Sequence, residues 1–307
     1  MSKRSLALIA ATMVSIIYGV TFTIAKDVMP AFVKPFGFIV LRVGGSVILF
    51  WLAALFVTKQ KIELKDFPRI AAAAFFGVAF NMLTFFEGLS QTSPIMASVL
   101  MVTTPMIVLV LSAIIIKEKI VGKKAFGIVL GLIGTILLIF YGKSISNSEN
   151  ALWGNFLVFV NAVSYGLYLI VVKKLMDKYN PFAFVKWIYL FGFIMVLPFG
   201  WKQASQINWQ SMPIDILYKV LFVVILSTFL TYLLNLLSMK QLKPTTVAVF
   251  IYLQPLFATV FSVGLGKDQL NPVKIFSALL IFTGVYLVTA PAKKRPLTTP
   301  NTGDISS

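Results

Sequence analysis

Ten stretches of roughly twenty apolar residues follow one another along this chain of 307 residues, at about 6–25, 36–57, 70–90, 94–116, 125–141, 152–172, 183–200, 217–238, 245–265 and 273–290. A helix needs about 20 apolar residues to cross the ~30 Å hydrocarbon core of a bilayer, so each stretch is long enough, or nearly so, to span one. Little chain is left for a soluble domain. The longest connections, 142–151 and 201–216, are polar and read as loops, and 293–307 reads as a disordered tail. The first stretch runs on to Lys26 with no small-residue cleavage site, so it is expected to stay as a helix. Composition agrees: 59% of residues are hydrophobic and 12% charged, where soluble domains carry about 45–50% and about 25%. The expected class is an all-α integral membrane protein.

The chain contains no Cys and no His. That removes disulfides, thiolate nucleophiles, imidazole acid–base chemistry and zinc ligation by these residues. No Asp lies within a span to serve an intramembrane aspartyl protease, and no Lys lies mid-span to carry a Schiff base. An enzyme is therefore not expected, and neither a cofactor nor a metal is called for. The net charge of +17 invites a nucleic-acid reading, but the positions of the charges speak against it. With the N-terminus in the cytoplasm, nineteen Lys/Arg fall in inside loops and seven outside, with Arg42 within the second span. Such a bias sets orientation, so both termini are expected in the cytoplasm of an inner (plasma) membrane, and the partners are a lipid bilayer and a small molecule.

The two halves of the chain match each other. A shift of 150 places Pro94 on Pro244, Pro105 on Pro255, Ser112 on Ser262, Gly134 on Gly284 and Lys117-Glu118 on Lys267-Asp268. A shift of 147 places Tyr18-Gly19 on Tyr165-Gly166, Lys26 on Lys173 and Met29 on Met176. Five helices per repeat is an odd number, so the second unit must insert upside down relative to the first. The expected organisation is two inverted five-helix repeats, 1–145 and 146–292, followed by the tail. Inverted repeats are a hallmark of secondary transporters with a site near the midplane.

On these residues the chain resembles the EamA-type carriers of the drug/metabolite transporter superfamily. The resemblance rests on Tyr18-Gly19 with Lys26, Arg42, the run from Pro94 through Pro105 to Lys117-Glu118, Gly127 through Gly134, and their second-half counterparts. It implies export of metabolites, often amino acids or related small molecules, through a central cavity lined by helices 1, 3, 4, 6, 8 and 9. Phosphate-exchanging relatives use basic residues in that cavity. No Lys lies deep within a span here, which speaks against a phosphorylated substrate.

Polar side chains in hydrocarbon usually face the bundle interior. Helix 8 carries Thr228, Thr231, Asn235 and Ser238 on one face; helix 3 carries Asn81, Thr84 and Gly88. Helix 6 offers Asn161, Ser164, Tyr165 and Tyr168, helix 1 Ser15, Tyr18 and Thr21, helix 4 Ser98, Thr103 and Thr104, and helix 9 Tyr252 and Gln254. From these, Tyr18, Asn81, Thr84, Asn161, Tyr165, Tyr168, Thr231, Asn235, Tyr252 and Gln254 form the candidate substrate site. Neutral hydrogen-bonding groups and tyrosine rings suit a small amphipathic or zwitterionic solute. The same residues equally suit interhelical hydrogen bonds that only hold the bundle together. Two charges enter the spans on the same side, Arg42 and Glu87. They read either as a proton-coupling or substrate-amine pair, or as an Arg that snorkels and a Glu that faces water. Pro105 and Pro255 sit mid-span and read as hinges for alternating access or as fixed bends. Gly127-x-x-x-Gly131 permits close helix approach, within the bundle or across a homodimer. A secondary transporter is the leading reading, with a channel and a lipid flippase as rivals.

Overall fold

The computed structural model describes residues 2–29, 31–57, 60–91, 100–140, 151–264 and 271–290. Pro94, Ser98, Lys267-Asp268 and the expected tail 293–307 lie outside them, as does the expected repeat boundary at 145/146. All regular structure among the described residues is helical. Among the described residues, eight helices are long and apolar enough to cross a membrane, and Thr104–Ile115 is a shorter apolar helix.

In chain order, α1 is Lys3–Val28 and α2 is Pro35–Ala53. The segments Phe67–Ala74, Phe75–Ala79 and Phe80–Gln91 form α3, whose middle segment is π-helical. Helices α4 to α7 are Thr104–Ile115, Gly122–Phe140, Ala151–Met176 and Pro181–Ser205. Helix α8 joins Ile214–Val224, a π-helical Ile225–Leu230 and Thr231–Met239. Helix α9 joins Pro244–Ala248, a 3-10 segment Val249–Tyr252 and Leu253–Gly264, and α10 is Pro272–Thr289.

Local chemistry sets many of the ends. Ser2, Asn180 and Asn271 cap α1, α7 and α10 by accepting backbone N–H groups of Ser5, Phe182 and Lys274. Proline opens α2, α7, α9 and α10, where its missing N–H costs nothing. The seventh helix is longer than its expected 183–200: it runs through Pro198 to Ser205. Its last turn has a tertiary task, because Gln203 Oε1 accepts the backbone N–H groups of Phe36 (2.9 Å) and Gly37 (3.1 Å) at the start of α2. Those two donors have no partner within α2, so Gln203 satisfies them.

Packing pairs α5 with α10, α2 with α7, α3 with α6, α1 with α8, α1 with α9 and α4 with α6. The Gly127-x-x-x-Gly131 face is used inside the chain. A Cβ on Gly127 would meet the Gly284 carbonyl of α10 at 2.8 Å, and a Cβ on Gly284 would meet the Gly131 backbone at 2.7 Å. Beyond α4, Lys117 adopts a left-handed conformation (φ 54) and turns Glu118 inward. Glu118 Oε1 accepts from Thr245 (2.8 Å) and Lys124 (3.2 Å), which ties the end of α4 to the start of α9. Large apolar side chains such as Ile48, Ile114, Phe126, Ile194, Leu279 and Phe282 point outward. In water that surface would be a liability; in a bilayer it is the solvated face.

Candidate functional site

Arg42 lies in the third turn of α2, and its Nε donates to Thr228 Oγ1 of α8 at 3.1 Å. Thr228 in turn donates to the Val223 carbonyl at 2.7 Å, a bond reaching back five residues into the π-helical region of α8. The wide turn thus presents the threonine oxygen to the guanidinium. The guanidinium carbon also stands 6.0 Å from the Phe86 ring centroid. Among the described residues no carboxylate pairs with Arg42. One turn along α8, Thr231 Oγ1 lies 3.2 Å from the Tyr18 hydroxyl of α1. Ser238 donates to the Ala7 carbonyl of α1 at 3.0 Å, so the polar stripe of α8, with Asn235 within it, faces α1.

A run of tyrosines leads away from this point. Ring centroids are 6.0 Å apart for Tyr165–Tyr168, 5.4 Å for Tyr168–Tyr232 and 4.8 Å for Tyr232–Tyr189, and Tyr189 lies 4.8 Å from Phe50. Tyr165 and Tyr168 are close enough to Tyr18, and Tyr18 and Tyr189 to Arg42, to interact electrostatically. The run therefore joins α1, α2, α6, α7 and α8. Gly77, in the π-helical segment of α3, leaves room for it: a Cβ there would meet the Tyr232 hydroxyl at 2.6 Å. The buried hydroxyls of Tyr189, Ser46 and Ser227 have no hydrogen-bond partner among the described residues. Ser46 is one turn from Arg42 and Ser227 adjoins Thr228. Buried polar groups are normally satisfied, so these three hydroxyls, around a guanidinium with no carboxylate partner among the described residues, mark a place suited to polar ligand atoms.

Known proteins resemble the chain throughout its length. The profile of the EamA-like transporter family matches residues 5–140 and again 152–290. The chain belongs to the EamA-like transporter family. An uncharacterized transporter of Archaeoglobus fulgidus is 27% identical over 271 residues, covering 88% of this chain and 94% of that protein. The uncharacterized transporter YetK of Bacillus subtilis is 27% identical over 238 residues, 76% of this chain and 70% of its own. One solved crystal structure superposes with a TM-score of 0.78 at 17% identity over 94% of this chain and 99% of its own, a likeness of fold. The protein is thus a multi-pass membrane transporter of the drug/metabolite transporter superfamily, not an enzyme.

Within this EamA-like transporter the candidate residues fall into groups. Tyr18, Thr231, Tyr165, Tyr168 and Arg42 come together, with Asn235 on the same face of α8. Asn81 and Asn161 bond to each other's backbones and clasp α3 to α6, leaving Asn161 Oδ1 without a partner among the described residues. Thr84 donates to the Phe80 carbonyl of its own helix at 2.7 Å. Tyr252 is fully buried elsewhere, against Gly131, whose Cβ would meet its ring at 2.5 Å, in the cluster formed with α5 and α10. Gln254 presents its backbone carbonyl to Gly19 of α1.

The two charges have separate partners: Arg42 bonds Thr228, whereas Glu87 Oε1 accepts from Gln91 Nε2 at 2.6 Å. Pro105 and Pro255 do not interrupt a continuous helix. Pro105 stands in the first turn of Thr104–Ile115, after a turn at 102–103, and Pro255 follows the 3-10 segment Val249–Tyr252. The break precedes the proline in both helices, because a helix start tolerates the missing N–H. Sequence reasoning did not include Tyr189 and Tyr232. Tyr232 was within reach, four residues after Thr228 and so on the same face; Tyr189, a lone tyrosine in an apolar helix, carries no such signal.

Proposed function

We propose that this EamA-like transporter moves a small amphipathic, amino-acid-like metabolite by alternating access, with Arg42 receiving the solute's carboxylate. The observation that carries the reading is a guanidinium inside the bundle whose described partners are neutral. A cation part-buried among neutral groups is costly without an anion, and a carboxylate supplies one with matched hydrogen-bond geometry. Tyr18, Tyr165 and Tyr168 offer aromatic faces to an apolar side group or to an ammonium, and Thr231 and Asn235 offer hydrogen bonds. Because the rings pack against each other, the helices must part to admit a solute, as an alternating mechanism requires.

The reading includes ten membrane helices arranged as two inverted repeats, 1–145 and 146–292. Three observations support it. The π-helical segments begin at Phe75 and Ile225, 150 positions apart, the shift that aligns the halves. Exchanging α1–α5 for α6–α10 turns each principal packing pair into another or into itself: α3 with α6 becomes α8 with α1, and α1 with α9 becomes α6 with α4. The family profile also matches twice. The charge bias supports cytoplasmic termini in the plasma membrane, the family resemblance supports an exporter or exchanger, and Pro105 and Pro255 stand beside the bending points. Glu87, with Arg42, is the candidate for proton coupling, since these are the two charges that enter the spans.

Reconstitution into liposomes tests this. Preloaded unlabelled amino acid should accelerate uptake of the same labelled amino acid, since a carrier reorients faster when loaded. Uptake indifferent to the trans solute makes the protein a channel, and no flux for any carboxylate-bearing solute in a metabolite panel removes the substrate class.

A further inference from the structure

Away from the tyrosines, a cavity of about 250 Å³ opens between α3, α4 and α6, lined by Arg69, Ala72, Ile115, Ile170, Val171 and Lys174. The lining is sorted by depth. Arg69 is the third residue from the start of the segment Phe67–Ala74, and Lys174 the third from the end of Ala151–Met176, so both cations stand in terminal turns. Ala72, Ile170 and Val171 lie one turn further into the bundle, and at 1.5 Å per residue that places the apolar wall about 5 Å deeper. The wall continues onto the outer surface: Ile114 is 70% exposed and Phe75, one turn beyond Ala72, is 40% exposed. The groove thus holds its two cations in terminal turns, beside Ile115 at the end of α4, and is apolar toward the bilayer centre.

The rim keeps its positive charge. Arg69 Nη1 is 3.4 Å from Asp66 Oδ1, but that carboxylate is held more closely on its other oxygen by Lys178 (2.6 Å) and the Tyr179 hydroxyl (2.7 Å). The neighbouring Asp177 pairs with Lys173 at 3.0 Å, and among the described residues no carboxylate pairs with Lys174. Arginine forks match phosphate oxygens, lysine adds a point charge, and basic pockets between membrane helices favour anionic headgroups.

We propose that this groove is a binding site for an anionic phospholipid. Arg69 and Lys174 hold its phosphate, and Ala72, Ile115 and Val171 receive the first carbons of an acyl chain. A free phosphate would use the rim and ignore the wall; a zwitterionic lipid would use the wall and gain little from the rim. The occupant is therefore a lipid of net negative charge, and such a site would couple the α3–α4–α6 contact to membrane composition.

The test is equilibrium binding of fluorescent phosphatidylglycerol to the purified full-length protein in mild detergent. Unlabelled phosphatidylglycerol should compete, whereas phosphatidylcholine and inorganic phosphate at the same concentration should not. The variant Arg69→Gln/Lys174→Gln should bind about tenfold more weakly, since each near-surface cation contributes measurably to anionic-lipid attraction. Ala72→Trp, which fills the wall, should also weaken binding, while Arg69→Lys/Lys174→Arg, which keeps the charge and reports on folding, should retain it. Lys34→Gln/Lys202→Gln, distant cations, should match the parent. Parent-like affinity in Arg69→Gln/Lys174→Gln overturns the proposal. Equal competition by phosphatidylcholine or by inorganic phosphate overturns it as well, in favour of a merely apolar or a free-anion site.

Discussion

Asn161 of α6 donates its side-chain Nδ2–H to the Asn81 carbonyl of α3 at 2.6 Å, and Asn81 Nδ2 returns a bond to the Asn161 carbonyl at 3.4 Å. The counterpart of Asn81 in the second half is Thr231, which meets Tyr18 of α1 instead. The same helix pairing is thus made by an amide clasp in one half and by a hydroxyl contact in the other. Interhelical hydrogen bonds in membranes average about 0.6 kcal/mol, so Asn161→Ala should cost about 1 kcal/mol, read as a Tm lower by a few degrees in detergent. Substrate KM should change less than twofold. A large KM change with unaltered unfolding would move Asn161 from the clasp to the solute.

Gly77 offers a sharper stability test. Its missing Cβ is where the Tyr232 hydroxyl and the Tyr168 ring sit, with the hydroxyl 2.6 Å from where the added carbon would be. Gly77→Ala should destabilise by about 1–3 kcal/mol through overpacking, and should depress transport by displacing both rings. Gly166→Ala is the contrast. There the nearest atom is Leu111 Cδ1, the end of a flexible side chain, at 3.1 Å. Helix propensity favours alanine by about 1 kcal/mol, so that variant should be neutral or slightly stabilised. Thermal unfolding of the pair side by side gives the answer.

What was legible in the sequence followed from local rules. Long apolar runs, proline starts and the polar stripe of α8 located helices and placed Tyr18 and Thr231 among the inward-facing residues, because each is a property of neighbouring residues or of one helical face. What depends on another helix was not legible. The last turn of α7 looked like loop because Pro198 and polar residues end the apolar run, yet Gln203 continues it to cap α2. Tyr252 looked like a lining residue, but Gly131 opens a slot for it in a different cluster. The π-helical turns have no composition signal, and they decide where Thr228 and Gly77 point.

A loop on the Lys-rich side should respond to acid. Lys178 lies 2.6 Å from Glu63, and with Lys65 it holds the Glu63 carboxyl below the usual carboxylate range. Bonding to Asp66 first, and to Glu63 next, pushes the Lys178 ammonium above the usual lysine range. A lowered carboxyl contributes fully above its unfolded value of about 4.3 and is lost as pH falls through its folded value; a raised ammonium contributes below about 10.4 and is lost as pH rises through its own. The segment 60–64 should therefore stay docked from about pH 5 to pH 10 and loosen below about pH 4. Amide exchange, corrected for intrinsic rates, should show protection at 60–64 falling on acidification, and Lys178→Met should show the loosened state at pH 7. Protection that is the same in parent and variant at pH 7 would remove the ion pair as its cause.

Arg42 carries the strongest prediction because one substitution should lower acid flux while leaving amine flux and stability intact or improved. Gln at position 42 keeps an N–H to offer Thr228 but removes the charge. Hydrogen bonds to charged groups contribute about 1.5–3 kcal/mol, so Arg42→Gln should slow counterflow of a carboxylate-bearing solute by a factor of about 10–100. Flux of the matching decarboxylated amine, if the parent carries it at all, should be unchanged or better. Removing a part-buried cation with neutral partners also relieves part of its desolvation, so the variant should unfold at the same temperature as the parent or above it. Arg42→Lys should recover only part of the flux, since an ammonium lacks the planar fork that meets a carboxylate with two bonds. If Arg42→Gln slows acid and amine alike and lowers the melting temperature, the guanidinium holds α2 to α8 through Thr228 and does not meet the solute.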